Sequence, residues 1–185
     1  MKNKSLIVGL GNPGTEYENT RHNVGFMFLD YMVDRKIISK FNYSDKFFCY
    51  ISKYIENNDF IFVKPMTFMN NSGLVVSSLA SYYKISSDGI FIVHDDLDLK
   101  LGKFKISKNK NASGHNGVLD IFRHVKTKDL TRIRIGIDNR TKQQKQNQSG
   151  ASYVLSRFKK DEILVLKEVF ESVLKSTNNL LDIVN

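Results

Sequence analysis

The chain lacks the residues that would build a disulfide framework, a membrane span or a covalent active site. Its single cysteine, Cys49, excludes an intrachain disulfide and is typical of a reducing, cytoplasmic compartment. No apolar run approaches the ~18 residues that a membrane span needs, and the first run stops at Leu10, so a signal peptide is not expected. A G-x-S-x-G motif is also absent, which leaves a covalent nucleophile with little support.

Acidic side chains are in short supply as well. The chain carries 28 Lys and Arg against 19 Asp and Glu, a formal charge of +9 at pH 7. This excess predicts a polyanionic partner, either nucleic acid or an acidic membrane surface. With 185 residues, the chain suits a single domain over 1–185 with a sizeable core.

Strand and helix patterns alternate along the chain, which predicts an α/β domain with a central twisted, mostly parallel (mixed) sheet flanked by helices. The expected strands are 6–8, 47–55, 60–63, 90–93, 99–107 and 131–137, and the expected helices are 24–36, 72–83, 116–122 and 160–181. Asn57, Asn58 and Asp59 favour an antiparallel hairpin between the second and third strands. The segment 141–150 has no apolar residue and is expected to be a mobile loop.

A glycine motif near the start of the chain matches the dinucleotide fingerprint G-x-G-x-x-G at Gly9, Gly11 and Gly14. That fingerprint binds a pyrophosphate only where a helix begins inside it. Here an Asn-Pro-Gly turn intervenes, and the first helical pattern starts near Val24. An oxidoreductase that binds a nucleotide through these glycines is therefore the weaker alternative, and no cofactor is expected.

Three histidines, His22, His94 and His115, lie in polar loop contexts and are candidates for acid–base chemistry. Asp95 ends a short buried strand and could orient His22 at the end of another, so that the imidazole takes a proton from water. The alternative for Asp95 is a solvated loop acid. A metal site made from these four side chains is disfavoured, because no pair has the i, i+4 or C-x-x-C spacing of a strong metal motif.

Asparagines recur where predicted strands end or predicted helices begin, at Asn12, Asn23, Asn70, Asn71 and Asn116. An amide offers donors and an acceptor without charge, which suits holding a peptide backbone or a developing oxyanion. Asparagine is also common in turns and helix caps, and for Asn71 that explanation is the better one.

Basic and apolar residues alternate at 103–106 and 132–135, so each strand is expected to show a basic face to solvent. With Lys108 and Lys110 between them, these faces could clamp phosphates. Ordinary solvated strand faces are the alternative.

Together, these segments resemble bacterial peptidyl-tRNA hydrolases in order and spacing over nearly the whole chain. The matching stretches are VGLGNPGTEYENTRHNVG at 8–25, KPMTFMNNSG at 64–73, VHDDLDL at 93–99, GHNG at 114–117, RIRIGI at 132–137 and YVLSRF at 153–158. The resemblance implies a cytoplasmic, monomeric, metal-independent esterase that cuts the ester between a peptide and the 3′ ribose of tRNA. It implies tRNA as the partner, stalled large ribosomal subunits as a further candidate, and no membrane. A tRNA-binding factor without catalysis is the alternative.

The resemblance also implies roles for individual side chains. His22 would be the general base, Asp95 would keep it basic and oriented, and Asn12 would contact the peptide backbone. The residues implied to hold or line the cleft for the tRNA end or the peptide are Tyr17, Phe68, Met69, Asn70, His115 and Asn116.

The chain departs from the family's pattern on its basic strands. Family members usually carry a second basic residue where this chain has Ser107. We therefore expect Lys105 and Arg134 to form a phosphate clamp, with Lys108 partly replacing the missing charge. The residues at 138–140 replace a His/Arg-Pro pair, for which the sequence offers no interpretation.

Overall fold

The computed structural model describes residues 4–54, 59–108 and 110–181, with side chains up to Thr177. Within these residues, one seven-stranded sheet has the order β2-β3-β4-β1-β5-β7-β6. The strands are β1 Ser5–Gly9, β2 Asn42–Ser44, β3 Cys49–Lys53, β4 Phe60–Pro65, β5 Ile90–Lys100, β6 Phe104–Lys108 and β7 Thr131–Asp138. The α-helices are α1 Val24–Asp34, α2 Ser72–Tyr83, α3 Asn116–Val125, α4 Lys142–Asn147, α5 Gly150–Val154 and α6 Lys160–Leu181. Short 3-10 turns are Thr15–Tyr17, Arg21–Asn23, Met69–Asn71 and Ser87–Gly89.

The sheet is mixed, as predicted. Its middle strands β4, β1, β5 and β7 run parallel, while β2, β3 and β6 pair antiparallel at the two edges. The predicted hairpin residues Asn57 and Asn58 lie outside the described residues, but β3 and β4 do pair antiparallel. Parallel central strands need helices on both faces, and this is why β1 is a continuous apolar run.

Helices cover both faces of the sheet, and each face has its own apolar core. On one face Ile7 packs with Phe28 and Phe170, which belong to α1 and α6. On the other face Val8 packs in the cluster that contains Leu79 of α2 and apolar residues of α3. Consecutive residues of β1 therefore serve opposite cores, as the two-residue period of a strand requires. No helix of the described chain is long and apolar enough to cross a membrane.

The prediction of a mobile loop at 141–150 is wrong. Residues 142–147 form α4, whose N-terminus carries a capping box between Thr141 and Gln144. The Asp138 carboxylate accepts from Arg140 Nε at 2.9 Å and pairs with Lys145 Nζ at 2.6 Å. Caps and ion pairs hold this helix in place of an apolar face, so the hydrophobic pattern gives no sign of it.

Several predicted boundaries also change. The strand expected at 90–93 continues to Lys100, because the polar residues that follow Val93 still pair with β7. The extended stretch expected at 99–107 divides into the end of β5, a turn at Gly102, and β6. Helix α3 continues three residues past its predicted end, to Val125.

Candidate active site

A cavity of about 660 Å³ opens where β1, β4 and β5 end or turn polar. Every predicted catalytic and cleft residue lines it, namely Asn12, Tyr17, His22, Phe68, Met69, Asn70, Asp95, His115 and Asn116. One wall of this cavity is apolar, which no sequence motif indicated, and it is formed by Leu97, Ala151, Val154 and Leu155. Ala151, Val154 and Leu155 follow the segment 141–150, which was expected to be a loop. No sequence pattern therefore placed them beside the strand ends.

Asp95 is the centre of the polar cluster in this cavity. Its Oδ1 lies 2.8 Å from His22 Nδ1 and 2.9 Å from His115 Nε2, and the carboxylate is buried. Burial alone would raise the pKa of Asp95, but the two imidazoles outweigh it and hold this pKa far below its usual range. Asp95 is thus an ionised acceptor for both rings, and the alternative of a solvated loop acid is wrong.

His22 keeps one ring nitrogen available. Its Nδ1–H donates to Asp95, which leaves Nε2 unprotonated and without a partner among the described residues. Burial opposes the charged form, but attraction to Asp95 and its hydrogen bond prevail, so the pKa of His22 is raised above 6.5. The ring lines the cavity, which gives Nε2 access to a bound molecule.

His115 has no ring nitrogen to spare. Nε2–H donates to Asp95, and Nδ1 accepts the backbone N–H of Val118 at 3.3 Å, so that His115 caps the N-terminus of α3. Both ring nitrogens of His115 are therefore occupied by partners within the protein. Its ring centroid lies 4.9 Å from that of His22.

His94 is likewise committed to the protein. Its Nδ1–H donates to the Asp95 carbonyl oxygen at 2.7 Å, and Arg132 Nη1 approaches Nε2 at 3.5 Å. Burial, followed by the neighbouring His115 and Arg132, holds the pKa of His94 well below its usual value. His94 supports the cluster from behind and does not line the cavity.

Asn12 is oriented by the backbone around it. Its Oδ1 accepts the N–H of Met69 at 2.8 Å, so its Nδ2 must point the other way, and Nδ2 has no partner among the described residues. Asn23 fixes the main chain of Asn12 through two hydrogen bonds of 2.8 and 2.9 Å. The side chain therefore presents an unpaired N–H donor at the cavity wall.

A glycine allows these strand ends to meet. A Cβ on Gly25 would collide with the backbone of Leu10 and with the carbonyl oxygen of Val93. Glycine thus lets α1 begin directly against β1 and β5. This close approach brings His22, just before α1, within reach of Asp95 on β5.

A buried ion pair anchors the turn that carries His22, and the sequence analysis did not identify it. Arg21 Nη2 donates to both carboxylate oxygens of Glu162, at 2.8 and 2.9 Å, and Nη1 donates to the Ile137 carbonyl oxygen at 3.2 Å. The rings of Tyr153 and Phe158 lie 4.4 and 4.7 Å from the guanidinium carbon. Arg21 and Glu162 are 141 residues apart, so no local pattern could have joined them.

Aromatic and amide side chains form the rim of the cavity. Tyr17 and Phe68 meet edge to face with ring centroids 6.2 Å apart, and Phe68 is 57% exposed. Asn70, in the 3-10 turn Met69–Asn71, and Asn116, the first residue of α3, are both exposed. Rings at a rim can stack on nucleobases, and free amides can bind polar backbone groups.

The predicted basic face of β7 is not solvated. Arg132 is fully buried and donates from Nη2 to the Asn111 carbonyl oxygen at 2.7 Å, while Arg134 Nε lies 2.5 Å from Asp96 Oδ2. The expectation fails because residues 110–115 and α3 pack over this side of the sheet, where Phe122 also meets Arg132.

The phosphate clamp predicted from the sequence is only partly assembled. Lys105 is exposed and directly opposite Arg134 in the β6–β7 register, so both side chains lie on one face. Lys108 lies on the other face, since it is three residues from Lys105 in a strand, and its Nζ is 3.7 Å from Asp129 Oδ1. Lys108 therefore does not lie beside Lys105, and its contribution to the clamp stays a prediction.

The imidazole–carboxylate cluster also has the composition of a metal site. One ligand atom each from His22, Asp95 and His115 lies within 4.8 Å of the others. Here, however, both rings direct N–H groups at the same Asp95 oxygen. A cation could bind to these atoms only by displacing those protons. That the protein needs no metal stays a prediction.

Comparison with known proteins gives the family. The model of the peptidyl-tRNA hydrolase family matches residues 6–184. The chain belongs to the peptidyl-tRNA hydrolase family. It is 40% identical over 167 residues to the peptidyl-tRNA hydrolase of Mycoplasma capricolum subsp. capricolum, covering 90% of this chain and 87% of the relative. It is 39% identical over 178 residues to that of Rickettsia bellii, covering 96% and 93%.

The fold agrees with that of solved members of the family. The crystal structure of peptidyl-tRNA hydrolase from Acinetobacter baumannii superposes with a TM-score of 0.85 at 34% identity, covering 98% of this chain and 90% of that one. The chain is thus a peptidyl-tRNA hydrolase by family and fold, an enzyme of the hydrolase class, and a non-catalytic tRNA-binding factor is not favoured.

Proposed function

We propose that this peptidyl-tRNA hydrolase activates water with His22 to cut the ester between a peptide, or an N-blocked aminoacyl group, and the 3′ ribose of tRNA. One observation supports this assignment above the others. Of the two imidazoles that line the cavity in the described chain, His22 alone keeps an unprotonated nitrogen without a partner.

The reaction proceeds by general base catalysis. His22 Nε2 takes a proton from water, and the hydroxide attacks the ester carbonyl to give a tetrahedral oxyanion. Asp95 stabilises the imidazolium through the 2.8 Å contact with Nδ1. Collapse breaks the bond to the ribose oxygen, and His22 returns its proton there, releasing the peptide acid and tRNA. Asn12 Nδ2 donates to the substrate carbonyl or to the oxyanion.

Different parts of the cavity bind different parts of the substrate. The apolar wall that includes Leu97, Val154 and Leu155 accepts the peptide. Tyr17 and Phe68 receive the terminal nucleotide. Met69, Asn70 and Asn116 line the passage between these two parts.

Lys105 and Arg134 form the phosphate clamp. Asp96 compensates part of the Arg134 charge, so the exposed Lys105 supplies most of the free positive charge. Each duplex phosphate contact contributes about −0.9 to the slope of log affinity against log salt concentration. Lys105→Ala and Arg134→Ala should weaken tRNA binding and flatten that slope, and an unchanged slope in both variants would remove the clamp from the proposal.

The enzyme acts as a monomer in the cytoplasm, on peptidyl-tRNA that is free or held by stalled large ribosomal subunits. Light scattering at assay concentration measures the mass directly, and a dimer would require a different account.

The decisive assay is the release of a labelled N-acetyl-aminoacyl group from tRNA in the presence of EDTA. We expect turnover that resists EDTA, and a loss of roughly 10²-fold or more in His22→Ala. His124→Ala is the matched control, because His124 is a half-exposed imidazole outside the cavity. Activity that survives His22→Ala would show that another group is the base.

A further inference from the structure

Phe48 is a large aromatic residue at a position where neither the backbone conformation nor packing in the core favours one. It ends the turn at 45–48 between β2 and β3 with a φ of 50°, in the left-handed region that bulky side chains avoid. Glycine or asparagine adopts this backbone readily. The Phe48 side chain is nevertheless 62% exposed. A strained backbone that displays a large apolar group to solvent points to a binding role.

Other aromatic and basic groups surround Phe48. The ring of Phe47 meets that of Tyr82 with centroids 5.2 Å apart, and Lys46 Nζ lies 3.9 Å from the centre of the Tyr82 ring. Tyr82 is itself 56% exposed. Lys46, Phe47, Phe48 and Tyr82 are called the hairpin patch below. Asp45 is the acidic neighbour in the same turn.

The turn that carries Phe48 is hydrogen-bonded to the segment that precedes the rim residue Phe68. Met66 N–H donates to the Phe48 carbonyl oxygen at 2.9 Å. Met66 precedes Phe68 by two residues, which span at most about 7 Å of chain. The backbone at Phe48 is therefore joined directly to the segment that leads into Phe68 on the rim.

We propose that the hairpin patch binds unpaired nucleotides next to the 3′ end of the RNA substrate, with Phe48 stacked on a base and Lys46 near the backbone. This inference rests on the proposed function, which puts the terminal nucleotide at Phe68. Exposed rings combined with cations are the usual means of holding single-stranded RNA. A second copy of this chain fits less well, because each copy carries a formal charge of +9.

The test measures the binding of uncharged tRNA by fluorescence anisotropy, so that it needs no turnover. Phe48→Gly removes the ring and suits the left-handed backbone, so we expect about fivefold or more loss of tRNA affinity while the unfolding midpoint stays level or rises. Phe48→Trp keeps a stacking surface and should retain affinity. Leu164→Ala is the matched control, because Leu164 is 64% exposed on α6.

A second RNA identifies the nucleotides involved. With the same tRNA trimmed of its unpaired 3′ nucleotides, wild type and Phe48→Gly should bind equally. In hydrolysis assays Phe48→Gly should raise KM and leave kcat unchanged, since the His22 cluster is intact. A failed proposed function would appear instead as wild-type protein that binds tRNA without releasing the acyl group.

Three results would overturn the inference. Phe48→Gly could bind full-length tRNA as tightly as wild type. Its deficit could persist with the trimmed tRNA, which would put the contact on paired RNA or in the fold. Concentration-dependent self-association that disappears in Phe48→Gly would show that a second copy covers the hairpin patch.

Discussion

Asp95→Asn separates the charge of the carboxylate from its hydrogen bonds. Both imidazole N–H groups donate to the same oxygen, Oδ1, at 2.8 and 2.9 Å. An amide oxygen has two lone pairs and can accept both of them. Asparagine therefore keeps the tautomers of His22 and His115 while it removes the negative charge that raises the pKa of His22.

The size of the effect follows from the kind of hydrogen bond. A bond to a charged group contributes about 1.5–3 kcal/mol, and a neutral one about 0.5–1.5 kcal/mol. Losing the difference, about 1–1.5 kcal/mol, where the imidazolium forms slows hydrolysis about five- to thirteenfold. The loss of rate in Asp95→Asn should not exceed the roughly 10²–10⁴-fold that removal of a general base causes.

The pH dependence has a definite sign. His22 must be neutral to act as a base, so activity falls as pH drops through its raised pKa, above 6.5 in the wild type. Folding stability has the opposite dependence for His22, since its contribution is present at low pH and is lost as pH rises through that pKa. In Asp95→Asn the pKa of His22 falls, so the acid limb of the rate profile should move to lower pH.

A pH–rate profile of kcat/KM on N-acetyl-aminoacyl-tRNA measures both effects. Asp98→Asn is the control, because this carboxylate lines the same cavity without contacting an imidazole. Asp95→Ala should lose further stability, about 1–3 kcal/mol for each N–H left unpaired. An unmoved acid limb in Asp95→Asn would refute the reasoning, because either the carboxylate does not set the pKa or His22 is not the base.

Three further predictions test the surroundings of this cluster. Glu162→Gln leaves Arg21 as a buried, uncompensated cation, so urea unfolding should show a loss of about 3 kcal/mol or more; a loss under 1 kcal/mol would contradict the ion pair's role. Asn12→Asp keeps the acceptor for the Met69 N–H but replaces the donor with a carboxylate oxygen, so kcat should fall by about 10²–10³-fold if that donor meets the oxyanion. Burial raises the pKa of Cys49 to about 12, so iodoacetamide should label it only after unfolding, as mass spectrometry would show.

Residues at strand ends could be predicted from the sequence because the fold brings such ends together. Asn12 follows the apolar run of β1, Asp95 follows the apolar part of the neighbouring strand β5, and His22 lies in the turn that leads from β1 into α1. The tautomers could not be predicted, because they depend on partners in other elements. The backbone N–H that occupies His115 is one example, and it exists only once α3 has formed.

The basic residues show where the sequence pattern fails. Alternation assigns Arg132 and Arg134 to one face, which is correct, but it cannot tell whether that face is open to solvent. The segment that covers it lies about twenty residues earlier, at Asn111. The same alternation puts Lys108 on the face opposite Lys105, a consequence of strand register that composition does not convey.

The cluster contains three imidazoles that contact Asp95, and their hydrogen bonds decide which of them keeps an open nitrogen. His94 is buried and donates to a carbonyl oxygen. Protonation of His94 would place a positive charge out of contact with water and beside the cation of Arg132. His115 is occupied on both sides, by the Asp95 carboxylate and by the backbone N–H of Val118. His22 is therefore the one ring of this cluster, among the described residues, with an open nitrogen in the cavity, and this difference in hydrogen bonding is what favours it as the proposed base.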